Sequence, residues 1–316
     1  MKYIPLDARR LPELVTLWNS AIGTDFPMRE DLFKQNSFDD ENLYTEGSFI
    51  AIEDDQVIGF IISKRWQENI EIQMNSEIGW IQALIVDSSN RGKGVGSALL
   101  NKAEIALQNS GCKRILLGRD PWHYFPGIPF EYELVRNWFE HRGYLAANIE
   151  SDLVKHYEDD EIDDIPDLEN VQFTLLKEDE KGQLLEFLHR CFPGRWEYEA
   201  YHYFKKGGTG REFVVLKKGD KIIGFCRIND AASPYIAQNV YWSSLFQDEL
   251  GGVGPLGIDS GERKQGYGLA IVKAGIAFLR KRMIHHIVID WTGLTDFYGR
   301  LGFNVWKEYQ QYYKEL

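Results

Sequence analysis

Apolar positions along the chain follow two rhythms, one helical and one strand-like, and their succession occurs twice. From Asp7, "DARRLPELVTLWNSAI" puts Leu14, Leu17 and Trp18 at the spacing of one helix face; from Lys177, "KEDEKGQLLEFLHRCF" does the same with Leu184, Leu185 and Leu188. Each helix pattern is followed by two apolar runs joined by a short polar turn, "SFIAIEDDQVIGFIISKR" (48–65) and "EFVVLKKGDKIIGFCRI" (212–228), which predict two strands apiece. Both pairs contain an aliphatic–Gly–Phe step, Ile58-Gly59-Phe60 and Ile223-Gly224-Phe225. A further strand, "WIQALIVD" (80–87), runs through glycines into the helical pattern "SALLNKAEIALQNSG", for which Gly111 is the stop. The second half repeats this plan in "IDSGERKQGYGLAIV", with Asp87, Arg91, Gly94 and Gly96 matched 172 residues later by Asp259, Arg263, Gly266 and Gly268. One order, strand–helix–strand–strand–strand–loop–helix–strand, runs twice. The chain is a duplication.

Length agrees, since 316 residues make two domains of roughly 150 the default. Between the copies, eight of the twelve residues in "EDDEIDDIPDLE" (158–169) are acidic, and Pro166 interrupts them. Such a block repels itself and predicts an extended linker with the boundary near residue 165, between modules at 1–157 and 170–316. A net charge of −12 opposes nucleic-acid binding, which needs a concentrated basic face. It suits cationic substrates such as amines, and it also serves solubility alone. Cys112, Cys191 and Cys226 are odd in number and widely spaced, as expected of free thiols in a reducing compartment. The N-terminus has no apolar h-region and no run approaches the ~20 apolar residues of a membrane span, so a cytoplasmic protein is expected. None of the seven histidines falls in a metal-ligand spacing, and no metal is expected.

A glycine loop between a strand and a helix N-terminus is an anion site, because free backbone N–H groups and the positive dipole end converge there. Glycines keep side chains out of the phosphate's way. A Walker A loop fails, because position 87 is Asp and position 94 is Gly. A dinucleotide fingerprint fits poorly: Asp120 and Asp290 end later strands, but the first copy reads GxGxG and the second keeps only Gly266-Tyr267-Gly268. The pattern that remains is Arg91-Gly92-Lys93-Gly94-Val95-Gly96 and Arg263-Lys264-Gln265-Gly266-Tyr267-Gly268. In it the sequence resembles the GNAT superfamily of N-acetyltransferases over nearly its whole length, as two tandem modules. The resemblance implies an α/β fold in which each module is a twisted mixed β-sheet flanked by helices. It also implies acetyl-CoA as cofactor, its pyrophosphate on each loop. The cofactor-binding residues are then these two loops together with Ser97, Leu269 and the strand ends Leu84, Ile85, Val86, Leu256, Gly257 and Ile258.

The closing segments separate the copies. "IDWTGLTDFYGRLGF" is similar to the family's ending, with Phe297, Tyr298, Gly302 and Phe303, and the resemblance makes Tyr298 the acid for the departing thiolate; a core tyrosine is the plainer reading. Copy one has Phe139 there. Asp290, at a strand end, is the candidate base of copy two, and Glu77 a weaker one in copy one; either also fits a strand-end cap. Where the family often has an asparagine after this strand, Trp291 stands. The insertion "GRDPWHYFPGIPFEYE" (118–133) offers Trp122, His123, Tyr124, Phe125 and Glu131 to an acceptor pocket or to packing. "FPGRW", "HYFPGIP" and "DWTGLTDFY" resemble tandem GNAT proteins of bacterial aminosugar acetylation and cell-wall salvage. The expected activity is direct acetyl transfer to the primary amine of a small molecule, an aminosugar first, with a non-catalytic acyl-CoA sensor or scaffold and a nucleotide-dependent oxidoreductase as alternatives.

Overall fold

The protein is described by a computed structural model over residues 1–158 and 164–316; residues 159–163 of the acidic linker lie outside the described residues. In chain order the first elements are β1 (Lys2–Pro5), α1 (Leu11–Ile22), α2 (Glu30–Phe33), β2 (Phe49–Glu53), β3 (Gln56–Arg65) and β4 (Ile78–Val86). There follow α3 (Val95–Asn109), β5 (Arg114–Leu117), β6 (Ile128–Pro129), α4 (Glu133–Glu140) and β7 (Leu145–His156). The second half has β8 (Gln172–Leu175), α5 (Lys181–Cys191), α6 (Arg195–Lys205), β9 (Phe213–Lys218), β10 (Lys221–Asn229) and β11 (Leu250–Ile258). It ends with α7 (Tyr267–Arg280), β12 (His286–Thr292), α8 (Thr295–Gly299) and β13 (Asn304–Glu315). Among the described residues no helix is long and apolar enough to cross a membrane.

Two compact units form, and they interleave in sequence. One comprises Met1–Ile70, Asn75–Glu150 and Lys307–Leu316; the other comprises Glu71–Met74 and Ser151–Trp306. The expected cut between 157 and 170 follows the repeat in the sequence, but the closing strands do not respect it. β13 pairs with β5 in the first unit, Tyr313 opposite Leu116, whereas β7 pairs with β12 in the second, Val154 opposite Val288.

Each unit is a mixed sheet with one parallel contact. The first runs β1-β2-β3-β4-β5-β13 and the second β7-β12-β11-β10-β9-β8. Helix α3 buries Val95, Leu99, Leu100, Ala103 and Leu107 on its sheet, and α7 buries Ile271, Ala274 and its neighbours in the same way. The aliphatic–Gly–Phe step explains itself here. A Cβ on Gly224 would lie 2.5 Å from the Cδ1 of Ile258, and one on Gly59 3.3 Å from Leu99 and Val95, so glycine lets neighbouring chain approach the strand.

The first unit also carries a charged core. Lys64 on β3 is fully buried, with Nζ 2.6 Å from Asp40 Oδ2, 2.7 Å from Asp120 Oδ2 and 2.5 Å from the Asn36 carbonyl oxygen. Gln82 on β4 joins the network, donating to the Asn36 and Trp122 carbonyls and accepting from Ser37 Oγ. The two carboxylates outweigh desolvation and raise the Lys64 ammonium above its ordinary value, so the lysine stays charged.

Removing one partner of such a group leaves buried charge uncompensated. Lys64→Met should destabilise the protein by about 3–5 kcal/mol. Adding Asp40→Asn and Asp120→Asn should recover a large part of the loss, as read by urea unfolding. A single variant as stable as the wild type would contradict the network's role.

Candidate active site

The two glycine loops fold alike. Gly94 and Gly266 adopt left-handed φ angles of 85° and 80° and cap α3 and α7. Two residues earlier, Gly92 and Lys264 are also left-handed, at 73° and 66°. Asp87 and Asp259 start each loop by accepting from the amides of Ser89 and Gly261. The arginines brace it from behind, Arg91 Nε donating to the Val86 carbonyl at 3.1 Å and Arg263 Nε to that of Ile258 at 3.2 Å. The first amides of α3 and α7 have no intrahelical acceptor. A Cβ at Gly94, Gly266 or Gly268 would meet nothing within 4 Å. Each loop is therefore an open, donor-rich hollow that suits a pyrophosphate.

The strand feeding each loop parts from its parallel neighbour. β4 pairs with β5 only from Ile78 to Ile81, and β11 pairs with β12 only at Leu250, Gly251 and Gly252. Each register shifts on the antiparallel side at this point, near Gln82 in one unit and near Gly254 and Pro255 in the other. The bulges turn the strands away and open a groove whose backbone groups lack ladder partners. In the second unit a cavity of about 340 Å³ is lined by Leu256, Gly257, Ile258, Arg263, Lys264, Gly266, Tyr267 and Gly268, with Phe192 and Trp196. In the first, Leu84, Ile85, Val86, Arg91, Gly92, Gly94, Val95, Gly96 and Ser97 line a cavity of about 1000 Å³. Lys93 turns to Asn90 and Gln265 to Glu262, and neither they nor Leu269 lines either of these two cavities.

Asp290 is aimed by a defect in its strand. The β12–β7 register shifts between Ile289 and Thr292, and Trp291 takes a φ of 43°, which costs a bulky residue strain. The Asp290 carboxylate then lies beside the β11 bulge, Oδ1 3.9 Å from where a Gly254 Cβ would stand. Its surroundings desolvate it and push the carboxyl up to about 6; Arg195 opposes this, Glu199 adds to it, and a hydrogen bond with Asn239 opposes it too. Tyr298 on α8 is buried, and its phenol is raised by desolvation and by Cys226 and Asp290 nearby. Neither residue lines the cavity of its unit.

A polar cluster surrounds this carboxylate that the sequence reading missed. Glu199, 2% exposed, accepts from Arg195 at 2.7 Å and from Gln238 at 3.3 Å, and Arg227 lies 3.6 Å away. Arg195 also stacks on Trp291, 4.2 Å from the ring centre. The available signal was α6 itself, "RWEYEAYHYFK", which buries both Glu197 and Glu199 among aromatics.

In the first unit the corresponding groups are spent. In register the residue equivalent to Asp290 is Gly118. Asp120, two residues on, brings its carboxylate to Gln82 at the β4 bulge, where Lys64 holds it, and Asn229 stands where the second unit would need that lysine. Phe139 lines the cavity in place of a tyrosine. Glu77 is at the far end of β4 and pairs with Lys113. Of the insertion, Phe125 and Glu131 line the cavity, while Trp122, His123 and Tyr124 are buried, the last bonded to Ser37.

The sequence model described as the acetyltransferase (GNAT) family matches residues 13–130 and again 182–303. No curated protein sequence matches the chain. Among solved structures, 99% of the chain is similar to the glucosamine N-acetyltransferase region of a fungal multi-domain GH3 β-N-acetylglucosaminidase, at TM-score 0.87 and 24% identity, spanning 38% of that chain. A GCN5-related N-acetyltransferase from Sphaerobacter thermophilus gives TM-score 0.72 at 15% identity, covering 99% of this chain and 95% of its own. A tandem GNAT protein from the clavulanic acid biosynthesis pathway gives 0.68 at 11%, covering 99% and 98%. At these identities the likeness is one of fold, and the two family matches cover most of the sequence. The chain belongs to the acetyltransferase (GNAT) family, as two tandem modules.

Proposed function

We propose that the protein is an acetyl-CoA-dependent N-acetyltransferase acting on the primary amine of a small molecule, an aminosugar, and that the second unit performs the reaction. The observation that carries this reading is Asp290, a carboxylate poised at about 6 and turned by its bulge toward the opening between β11 and β12. Acetyl-CoA, when bound, supplies a thioester that a neutral amine attacks directly. The α7 cradle would hold its pyrophosphate, with Arg263, Lys264, Gly266, Tyr267 and Gly268 around it. Leu256, Gly257 and Ile258 would flank the rest of the cofactor along the groove.

Asp290 accepts the proton that the amine gives up. An alkylammonium of pKa ~10.4 is about 3.4 units from neutral at pH 7, roughly 4.6 kcal/mol. A sugar amine is intrinsically less basic, because the ring oxygens withdraw electron density, and a carboxylate can serve it. The β11 amides freed at the splay are donors for developing negative charge on oxygen. Tyr298 remains protonated, since its phenol lies above the ordinary ~10 and far above a thiol at ~8.5. It acts as a hydrogen-bond donor to developing charge on sulfur. The name of the fungal glucosamine N-acetyltransferase region supports an aminosugar acceptor, as do the hydrogen-bonding Glu199, Gln238 and Asn239.

An acetyl-CoA turnover screen across glucosamine, glucosaminides, aminoglycosides, spermidine and peptide N-termini tests the acceptor. Glucosamine or a glucosaminide should be acetylated and spermidine much less. Strong spermidine turnover with silent aminosugars would overturn the acceptor, and silence with every amine would favour an acyl-CoA sensor.

Tyr298→Phe should lower turnover roughly 10²-fold with little change in CoA affinity. An unchanged rate would remove the tyrosine from the chemistry.

Asp290 makes a two-sided prediction. Its folded value near 6 exceeds the ordinary 3.8, so folding favours the protonated form. That contribution is full below pH 4 and is lost as pH rises through 6, leaving the ionised carboxylate costing about 2–3 kcal/mol at pH 7. Asp290→Asn should therefore abolish the rise in activity through pH 6 while making the chain more stable at pH 7, with no gain below pH 4. Urea unfolding at the two pH values, beside the pH–rate profile, reads both.

A further inference from the structure

We infer that the first unit is a holding site for a CoA thioester whose acyl chain is longer than acetyl, which it binds and does not transfer. This rests on the reading of the glycine loops as CoA cradles. Its cavity is continuous from the α3 cradle to a deep end formed by Trp18, Ile81, Leu117, Phe125 and Ile128. Trp18, Ile81, Leu117 and Ile128 are between 0 and 7% exposed and still line it, so the cavity enters the core. Its volume, about 1000 Å³, compares with about 340 Å³ in the second unit, where Phe192 and Trp196 cover the groove. An acetyl group would leave the deep end unfilled, whereas an alkyl chain would bury itself there. The rim is apolar as well: Leu134 is 86% exposed and Val135 42%, both lining the cavity.

The groups that would move protons are missing or occupied. Asp120 is neutralised by Lys64, and Lys64 also meets Asp40. Gln82, the polar side chain at the splay, spends its amide on the Asn36 and Trp122 carbonyls. Phe139 offers no hydroxyl. At the splay a bound thioester would meet neither a free carboxylate nor a tyrosine in the place of Tyr298; Tyr132, which also lines the cavity, donates its hydroxyl to Asp25.

Calorimetry on the full chain carrying Gly266→Val, which closes the other cradle, isolates this site. Octanoyl-CoA should bind one per chain and at least ~10-fold more tightly than acetyl-CoA, because each buried methylene contributes about fourfold in affinity. Ile128→Trp, filling the deep end, should erase that preference and keep acetyl-CoA binding. Should Gly266→Val not fold, the wild-type chain given octanoyl-CoA and excess glucosamine should retain one intact octanoyl-CoA through gel filtration. Equal affinity for the two thioesters, or consumption of the retained octanoyl-CoA by glucosamine, would overturn the inference. Failure of the second unit's chemistry has a different signature: no glucosamine turnover with acetyl-CoA, while the octanoyl preference persists.

Discussion

Parallel strands hold together only while both backbones keep the same course, and in each unit of this protein they stop doing so after three or four residues. β11 leaves β12 after Gly252 and β4 leaves β5 after Ile81. The departure exposes strand backbone in the middle of a sheet, where unpaired N–H and C=O groups are costly unless a ligand or water meets them. It also decides where everything else stands. The helix that follows starts at the same end, so its free amides and the opened groove share one edge, as expected for ligands at the carboxyl ends of parallel strands. In the second unit the departure needs Gly254, whose φ of 128° excludes other residues. A Cβ there would stand at ordinary contact distance, 3.9 Å, from Asp290 Oδ1.

What could be read from the sequence was local. Helical and strand rhythms, the αL glycines Gly94 and Gly266, and the aspartates that start each loop depend on residues a few positions apart, and the repeat doubled every signal. The interleaving of the units could not be read. The segment of β13, "NVWKEYQQYYKE", has a pattern suited to a sheet, but nothing in it says which sheet. Burial of the insertion was hidden for a related reason. Trp122 and Tyr124 have the composition of a binding loop, and only the distant Ser37 and Phe33 reveal that Tyr124 is a core hydrogen-bonding residue. The cluster around Glu199 joins α6 to Gln238 and Arg227, nearly forty residues apart at most, and no spacing rule links them.

The two units show how little must change to alter what one carboxylate can do. Asp290 lies within β12 and Asp120 three residues beyond the end of β5, yet both carboxylates reach the bulge of the neighbouring parallel strand, at Gly254 and at Gln82. Across β4 from Asp120, β3 carries Lys64, and the pair closes into a network with Asp40 and Gln82. In the second unit the position equivalent to Lys64 is Asn229, whose amide donates to Asn239 at 3.1 Å and brings no charge. Desolvation, answered by an ammonium in the first unit, is answered only partly in the second, by Arg195, which also serves Glu199. A carboxylate left in that condition is a poor stabilising element and a useful proton acceptor near neutral pH. The lysine that makes one unit's interior self-sufficient is thus the residue whose absence leaves the other with a reactive group.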